Sequence, residues 1–283
     1  MKPLISVVIG TLNRPMIVLK LVKQLIDEYK KNNLEIIIFD QSSVKNKKEL
    51  SIRLPKKKYI RLIKKSRPNT VAYLNDGYRH SKSDYVLYLD DDVKITSETI
   101  PTHIRSYADP AVMGVAGRVI NKEDRRPKKS KETGIIKWCG AEIISNFSSS
   151  NQKFVLFPYG CNMSFRKSVL KEIDGFDNKL KGPIYAYNEI DLGIRLNKKY
   201  PRSLIFKPKA VVRHLRYKVG GTRDYNWKRV KKSVDFNYGY FIGKNFSIPE
   251  NIICFLRRLP YQLIKDRTGI LPILEGYMTA KSG

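Results

Sequence analysis

Three consecutive carboxylates, Asp90, Asp91 and Asp92, are the side chains of this 283-residue sequence with the most predictable chemistry. They directly follow an apolar, aromatic-rich run at residues 85–89. Adjacent negative charges repel one another, so the triplet is costly unless a cation compensates it. Carboxylate oxygens suit Mg²⁺ or Mn²⁺, and substrate phosphates commonly complete the coordination shell. The triplet therefore indicates a divalent-metal site for a phosphorylated ligand, with a solvated acidic turn as the alternative.

The segments that must position these acids alternate between strand and helix patterns. Residues 4–10 and 34–40 are apolar and β-prone, and the residues between them carry apolar side chains at helical spacing. Further strand patterns occur at 58–63 and 85–89, with a helical pattern around residues 72–78 between them. This alternation predicts an α/β fold with a mostly parallel sheet and crossover connections.

Polar clusters at residues 11–14, 40–43 and 90–92 each follow one of the predicted strands. Ligands of parallel sheets bind at the carboxyl ends of the strands. We therefore expect the three clusters to meet along one edge of the sheet, which favours the metal site over the solvated turn.

The charge of the chain is strongly positive. Lys and Arg outnumber Asp and Glu by 55 to 26, which gives a net charge of +29. Such a field attracts nucleic acid, anionic lipid or phosphorylated substrates. The basic residues occur in blocks without the repeated aromatic and basic pattern of an RNA-binding signature. We expect no nucleic-acid partner and keep the anionic surface of a membrane open as one.

Cysteine usage and hydropathy bear on the cellular compartment. Cys139, Cys161 and Cys254 lie far apart without a C-x-x-C pair, and no N-terminal stretch resembles a signal peptide. A reducing, cytoplasmic setting is therefore expected. No run approaches the roughly 18 apolar residues needed to span a bilayer, so any membrane association should be peripheral, on the cytoplasmic face.

The second half of the chain changes pattern and is expected to build the pocket of a second substrate. β-prone pieces at 111–120, 135–144 and 154–157 are separated by loops rich in Lys, Ser or Asn. Residues 188–196 predict a helix with acids in its first turn, and short strand patterns follow it at 204–206 and 210–212.

From residue 216 the sequence becomes basic and aromatic, and residues 252–265 mix apolar and basic side chains at roughly helical spacing. Such a helix either lies on a membrane surface or packs against the rest of the chain or a partner subunit. Both interpretations stay open on the sequence.

Four passages taken together resemble glycosyltransferase family 2, the inverting enzymes of the GT-A fold. They are SVVIGTLNR at 6–14, IFDQSS at 38–43, NTVAYLNDG at 69–77 and LDDD at 89–92. Downstream, GCNMSFR from Gly160, GFD from Gly175 and EIDL from Glu189 are similar to the acceptor-side motifs of the family. The resemblance covers roughly residues 4–215.

The resemblance implies a Rossmann-like, mostly parallel central sheet flanked by helices, followed here by a basic helical C-terminal extension. It divides the chain into a glycosyltransferase domain at 1–215 and an extension at 216–283. Within the domain, residues 1–95 would bind the nucleotide and residues 96–215 the acceptor.

The resemblance also implies roles for individual residues. Those that would line the nucleotide sugar are Thr11, Asn13, Arg14, Asp40, Asn69, Asn75, Gly77, Asp90 and Asp91. Gly160, Cys161 and Asn162 would lie on the acceptor side. Asp90 and Asp92, as the outer acids of a D-x-D motif, would hold Mn²⁺ or Mg²⁺ together with His214, because histidine is a competent Mn²⁺ ligand. Of the two acids, Asp92 is the expected direct ligand, and Asp90 should lie nearer the ribose.

The catalytic base has two candidates, Glu189 and Asp191. Sugar transfer requires a carboxylate to remove a proton from the acceptor hydroxyl while the departing diphosphate gains charge. The family usually presents Glu-Asp here, with the Asp as base, whereas this chain has Asn188 and Glu189. Glu189 is our choice, and Asp191 stays as the alternative; either acid would also stabilise the start of a helix.

The sequence thus predicts a metal-dependent inverting glycosyltransferase that moves a sugar from a UDP- or dTDP-sugar to a hydroxyl of a glycan or lipid-linked acceptor. Synthesis of a cell-surface polysaccharide or glycolipid is the expected setting. One alternative is a nucleotidyltransferase of related fold, although the segment from Gly10 to Pro15 lacks a Gly-rich, Lys-containing phosphate loop. The other is a non-catalytic basic protein that binds nucleic acid.

Overall fold

The computed structural model describes residues 2–122, 132–137, 142–151, 153–182, 186–217, 219–221, 226–261 and 270–282. Its strands are β1 (Ile5–Thr11), β2 (Leu34–Asp40), β3 (Ile60–Lys64), β4 (Tyr85–Asp90), β5 (Val93–Ile95), β6 (Gly114–Asn121), β7 (Ile135–Lys137), β8 (Glu142–Ile144), β9 (Lys153–Phe154), β10 (Asn162–Arg166) and β11 (Leu204–His214). Its helices are α1 (Pro15–Asn32), α2 (Val44–Arg53), α3 (Thr70–His80), α4 (Thr99–Ser106), α5 (Lys167–Glu172), α6 (Asn188–Lys199), α7 (Trp227–Asn245), α8 (Ile248–Tyr261) and α9 (Leu271–Lys281).

The predicted α/β architecture is confirmed. The main sheet has the strand order β3-β2-β1-β4-β10-β6-β11-β5, with β9 paired to β11. Within it, β3, β2, β1 and β4 are all parallel. The carboxyl ends of β1, β2 and β4 therefore lie at the same edge, as the sequence predicted, and the polar residues after them are brought close together.

The other half of the sheet, from β10 onward in the strand order, mixes strand directions. β10 lies between β4 and β6 and runs antiparallel to both, whereas β6 and β11 are parallel. The two short strands expected at 204–206 and 210–212 are one strand, β11, whose pairing with β6 shifts register between Lys207 and Val211. Pro208 lies within this shift, and its missing N–H explains the interruption of the ladder.

The strand expected at residues 135–144 is divided into β7 and β8, which pair antiparallel as a separate two-stranded sheet. Residues 138–141, which include Cys139, lie outside the described part of the chain. The other two cysteines, Cys161 and Cys254, are buried and are not joined by a disulfide.

The core lies on both faces of the parallel strands. Val7, Val8 and Ile9 of β1 are fully buried, because helices cover the sheet on either side. α1 packs onto it through an apolar stripe at helical spacing, made of Val18, Leu21, Val22 and Leu25. α1 begins at Pro15, a favoured first position of a helix, so the loop before it is short and rigid.

The residues from 216 onward pack against the preceding part of the chain through α7. Phe241 of α7 stacks on Tyr187, with ring centroids 5.2 Å apart. Lys244 of α7 forms an ion pair with Asp191, with Nζ 2.9 Å from the carboxylate. α7 therefore packs on the preceding part of the chain, whereas the two interpretations of residues 252–265 concern α8, and the contacts of α7 do not decide between them.

Among the described residues, no helix is both long enough and apolar enough to cross a lipid bilayer.

α7 and α9 approach one another at glycines. A Cβ added to Gly239 of α7 would lie 1.8 Å from the carbonyl oxygen of Ile273. On α9, a Cβ added to Gly276 would lie 2.0 Å from the carbonyl oxygen of Phe236. Because both obstacles are backbone atoms, neither contact can be relieved by a side-chain rotation.

We expect Gly239→Ala to lower the free energy of unfolding by roughly 1–3 kcal/mol, the range for overpacked sites, because α9 must move away from α7. Gly243→Ala is the comparison at the same helix crossing, since its added Cβ would lie 3.0 Å from the Cβ of Ala280 and 3.2 Å from the carbonyl oxygen of Tyr277. These contacts are less severe than the 1.8 Å contact at Gly239, so we expect a smaller loss of stability for Gly243→Ala. Urea unfolding followed by circular dichroism measures both, and equal losses would contradict the close packing.

Candidate active site

A cleft of about 350 Å³ opens at the carboxyl edge of the parallel strands. Ten of the sixteen residues predicted for the site line it: Thr11, Arg14, Asn69, Asp90, Asp91, Asp92, Gly160, Cys161, Glu189 and His214. Nucleotide-side and acceptor-side residues therefore share one cavity, although they lie up to 203 positions apart in the sequence.

Asp91, the middle acid of the triplet, is held by protein groups. It is 1% exposed, and its two carboxylate oxygens lie 2.6 Å from Nη2 of Arg14 and 2.7 Å from Oγ1 of Thr11, which donates a hydrogen bond. Burial raises the pKa of Asp91 to about 7, although the charge of Arg14 and the hydrogen bond from Thr11 act in the opposite direction. Through Thr11 and Arg14, Asp91 thus holds the end of β1 and the start of α1 next to the acidic triplet.

The segment after β11 covers Arg14 from the other side. Gly220 and Gly221 have φ angles of +67° and +61°, in the left-handed region that favours glycine. A Cβ at Gly220 would lie 2.3 Å from Cγ of Arg14. The N–H of Gly221 donates to the carbonyl of Leu12 at 2.8 Å. The guanidinium of Arg14 is therefore enclosed between the acidic triplet and a glycine pair.

His214 lies between the two outer acids. Its Nε2 is 3.1 Å from Asp92 and 3.7 Å from Asp90. Burial acts to lower the pKa of His214, but the hydrogen bond to Asp92 and the charges of both acids outweigh it and raise the pKa. β11 delivers this imidazole, and the N–H of Leu215 donates to the carbonyl of Asp92 at 2.9 Å, which ties the two segments together.

The donor set at this point fits a divalent cation. One ligating atom each from Asp90, Cys161 and His214 lie within 4.8 Å of one another. Asp92 adds a carboxylate 3.1 Å from the same imidazole. Carboxylate oxygens with one imidazole suit Mn²⁺ or Mg²⁺. Cys161, predicted for the acceptor side, thus borders the predicted metal ligands.

Glu189 lies in the first turn of α6 and faces the same cleft. The turn is set by Tyr187, which precedes the helix with a left-handed φ of +72°. Glu189 lies close to Gly160, because a Cβ added to Gly160 would be 3.9 Å from Oε1 of Glu189. Burial raises the pKa of Glu189 to about 7, and the nearby charge of Asp90 acts in the same direction. A carboxylate with a near-neutral pKa is suited to accept a proton.

Asp191, the alternative base, lies outside the cleft. Its carboxylate accepts from Nε of Arg195 at 2.8 Å and from Nδ2 of Asn245 at 3.2 Å, and it lies 2.9 Å from Nζ of Lys244. It is 1% exposed. These contacts join α6 to α7 and leave the carboxylate turned away from the cavity.

Three further predicted residues stabilise the fold instead of lining the cavity. Asn75 is buried and exchanges two hydrogen bonds of 2.8 Å with the backbone of Phe176. Gly77 allows α3 to contact β1, because an added Cβ would lie 2.6 Å from Val8. Asn162 is fully buried, and its Nδ2 donates to the carbonyl of Ala210 at 2.8 Å.

Asn13 and Asp40 also lie outside the lining of the cleft. Asn13 joins two loops, because its Oδ1 accepts from the N–H of Ser43 at 2.9 Å. Asp40 is fully buried and accepts from the N–H of Ser42 at 2.9 Å. The neighbouring Gln41 lines the cleft instead, and it accepts a hydrogen bond from the N–H of Asn69, whose side chain caps α3.

Sequence reasoning missed several lining residues, among them Gln41, Tyr73 and Tyr159. Tyr73 lies over the end of β1, where a Cβ added to Gly10 would be 2.5 Å from its ring. Gln41 and Tyr73 lie within the passages that resemble the family, so the sequence could have pointed to their positions. It could not show which groups they contact.

The sequence matches the family described as Glycosyl transferase family 2 over residues 6–174. No curated protein matches the sequence significantly.

Solved structures with the same fold include three proteins with a bound nucleotide or nucleotide sugar. GalNAc-T7 with UDP, GalNAc and Mn²⁺ has a TM-score of 0.69 at 14% identity, covering 98% of this chain and 54% of that one. S. aureus TarS 1-349 with UDP-GlcNAc has a TM-score of 0.63 at 15% identity, covering 99% and 79%. Mannosyltransferase PcManGT from Pyrobaculum calidifontis with GDP-Man and Mn²⁺ has a TM-score of 0.59 at 14% identity, covering 100% and 76%. The chain thus spans about half the length of GalNAc-T7.

We expect His214→Ala to weaken Mn²⁺ binding by at least about tenfold, the lower end of what supporting residues of metal sites contribute. Electron paramagnetic resonance of free Mn²⁺, titrated with and without UDP, measures this without relying on turnover. His80→Ala is the matched control, because His80 is exposed at the end of α3. Equal Mn²⁺ affinity in the two variants would remove His214 from the metal site.

Proposed function

The chain belongs to glycosyltransferase family 2, and we propose that it transfers a sugar, with inversion and with the help of a divalent metal, from a nucleotide-diphosphate donor to an acceptor hydroxyl. The observation that carries the proposal is the shared cleft: Glu189, with a pKa raised to about 7, lies opposite the acids and His214 at the end of β4 and β11.

In this reaction the acceptor oxygen attacks the anomeric carbon as the bond from that carbon to the donor phosphate breaks. Glu189 takes the proton of the acceptor hydroxyl, which makes the oxygen nucleophilic as the new bond forms. Because attack and departure occur on opposite faces in one displacement, the configuration inverts and no covalent enzyme intermediate is needed.

Asp90, Asp92 and His214 would hold Mn²⁺ or Mg²⁺, which when bound supplies positive charge to the departing diphosphate. Thr11 and Arg14 border the donor side of the cleft, where their bonds to Asp91 keep them in fixed positions. Such preorganised groups cost no rearrangement at the moment of reaction.

We infer a UDP- or dTDP-sugar as the donor and a glycan or lipid-linked hydroxyl as the acceptor, in cell-surface polysaccharide or glycolipid synthesis. The structures of GalNAc-T7 with UDP and of TarS with UDP-GlcNAc support a nucleotide-diphosphate donor for this fold. We propose that the enzyme acts in the cytoplasm, at the anionic cytoplasmic face of a membrane.

The two alternative functions explain less. A nucleotidyltransferase would need its phosphate loop after β1, where this chain has the single Gly10 followed by Thr11 and Leu12. A nucleic-acid-binding protein would account for the net charge of +29 but not for a half-buried Glu189 that shares a cleft with an acidic triplet.

Thermal unfolding distinguishes these functions. We expect UDP with Mn²⁺ to raise the melting temperature of the protein, with a smaller effect for UDP together with a chelator, because a ligand that binds only the folded state stabilises it. Stabilisation by an oligonucleotide alone, with no response to UDP and Mn²⁺, would contradict the transferase assignment.

Replacing the base should separate chemistry from donor binding. We expect Glu189→Gln to lower kcat by about 10²–10⁴-fold, the usual contribution of a general base, while UDP and Mn²⁺ still raise the melting temperature. Asp191→Asn is the matched control at the next carboxylate of the same helix. Because Asp191 is bound to Arg195 and Lys244, its replacement should mainly lower stability. Full transfer activity in Glu189→Gln would remove Glu189 from the mechanism.

The pH dependence of kcat/KM should follow Glu189. A general base is active when deprotonated, and the pKa of Glu189 is raised from 4.5 to about 7. We therefore expect kcat/KM to rise from pH 5.5 to a plateau near pH 8. A profile already flat at pH 5.5 would show that the group that must be deprotonated has an ordinary carboxyl pKa.

A raised folded-state pKa also predicts a dependence of stability on pH. The ionised carboxylate disfavours the folded state, so its cost develops as pH rises from 4.5 to about 7 and is constant above. Unfolding of wild type and Glu189→Gln in urea should therefore give similar stabilities at pH 4.5 and a relative gain for the variant at pH 8. An unchanged difference between the two proteins would contradict the raised pKa.

A further inference from the structure

α8 presents an apolar face to solvent. Ile248, Ile252 and Leu256, spaced four residues apart on one side of the helix, are 65%, 54% and 64% exposed. The opposite side is buried through Asn251 and Cys254. Large apolar side chains scattered singly on a surface need no explanation, but a continuous stripe does.

α9 extends this stripe. Leu274 and Met278 are exposed, and the adjacent Tyr277 packs edge-on against Phe255 of α8 with ring centroids 5.3 Å apart. Phe255 lies at the edge of the exposed face of α8, next to Leu256. The exposed residues of α8 and α9 therefore lie on either side of the contact between Phe255 and Tyr277. We define the α8–α9 surface as Ile248, Ile252, Leu256, Leu274 and Met278.

The extension that carries the α8–α9 surface has a basic composition, and α8 and α9 themselves contain three basic residues and two acids. Residues 216–283 contain 13 Lys and Arg against 5 Asp and Glu. Arg257 is exposed on α8. The acids of the two helices are engaged: Glu250 accepts from the N–H of Ser247 at 2.7 Å, and Glu275 lies 2.8 Å from Nζ of Lys181.

The start of α7 adds to the basic character of the extension. Trp227 is 72% exposed, and it is followed by Lys228 and Arg229, which are also exposed. Tryptophan beside basic residues is typical of segments that contact the interface between lipid and water.

We propose that the α8–α9 surface binds a bilayer that contains anionic phospholipids, with its apolar residues inserted at the level of the headgroups. An amphipathic helix with basic neighbours gains from the burial of its apolar area and from the attraction of Lys and Arg to an anionic surface. A second copy of this chain is the less favourable occupant, because association would bring together two molecules of net charge +29.

Membrane binding of this kind goes beyond the transferase activity and is separable from it, because the α8–α9 surface contributes no residue to the lining of the cleft. It would hold the enzyme at a plane where a lipid-linked acceptor is presented. The α8–α9 surface is exposed in the protein without ligands, so its binding to a bilayer should not require donor or metal.

Co-sedimentation with vesicles tests the proposal. The full chain is mixed with vesicles of phosphatidylcholine with or without phosphatidylserine, at low and at physiological salt. We expect binding to the anionic vesicles, reduced by salt, and at least tenfold weaker binding of the double variant Ile252→Asp with Leu256→Asp. Ile52→Asp is the matched control, since Ile52 is 71% exposed on α2 and lies outside the proposed surface.

Each outcome decides the proposal. Loss of binding in the double variant but not in Ile52→Asp, with equal melting temperatures, supports it. Absence of wild-type binding, or equal binding of all three proteins, overturns it. A wild-type dimer in analytical ultracentrifugation that the double variant abolishes, without vesicle binding, would identify a second copy as the occupant. Stabilisation by UDP and Mn²⁺, measured in parallel, keeps a failure here distinct from a failure of the proposed transferase.

Discussion

The ion pair between Arg14 and Asp91 joins the start of α1 to the end of β4, and the rest of the cleft is built around it. Three neighbouring carboxylates can lie at this edge because Arg14 forms ion pairs with Asp91 and Asp92, and His214 lies 3.1 Å from Asp92. Arg14 follows β1, whereas His214 ends β11. The contacts of the acidic triplet therefore couple the parallel strands at the start of the chain to the last strand of the sheet. The remaining carboxylate, Asp90, is more exposed than its neighbours and faces the cavity.

A second set of contacts controls where the proposed base lies. α6 is preceded by a residue with a left-handed φ, Tyr187, and its first turn carries both Glu189 and Asp191. Tyr187 stacks on Phe241, and Asp191 is bound by Lys244 and Asn245, so α7 holds the turn from two sides. The two carboxylates, only two residues apart, thus have different tasks: one faces the cavity, and the other anchors the helix. The C-terminal extension is in this way part of the framework of the cleft.

Much of the nucleotide-side half could be predicted from the sequence, because apolar strands followed by polar clusters leave few arrangements of a parallel sheet. The acceptor-side half was harder. Residues 162–166 form β10, whose first four residues are buried, so the alternation that marks a half-exposed strand is absent. Asn75 and Asn162 belong to the motifs of the family but bind backbone groups, and sequence patterns do not distinguish a side chain that binds a ligand from one that binds a carbonyl. The choice between Glu189 and Asp191 likewise depended on partners more than 50 residues away in the chain.

The glycines at the crossing of α7 and α9 have a consequence for related chains. With Gly239 and Gly276 the two helix backbones are in direct contact, so the inclination of α9 is determined by the absence of side chains at two positions. A homologue with a larger residue at either position must carry its last helix farther out, and Leu274 and Met278 would then point in a different direction. Divergence at these two glycines would therefore change the direction in which the apolar residues of α9 face, independently of the residues that line the cleft.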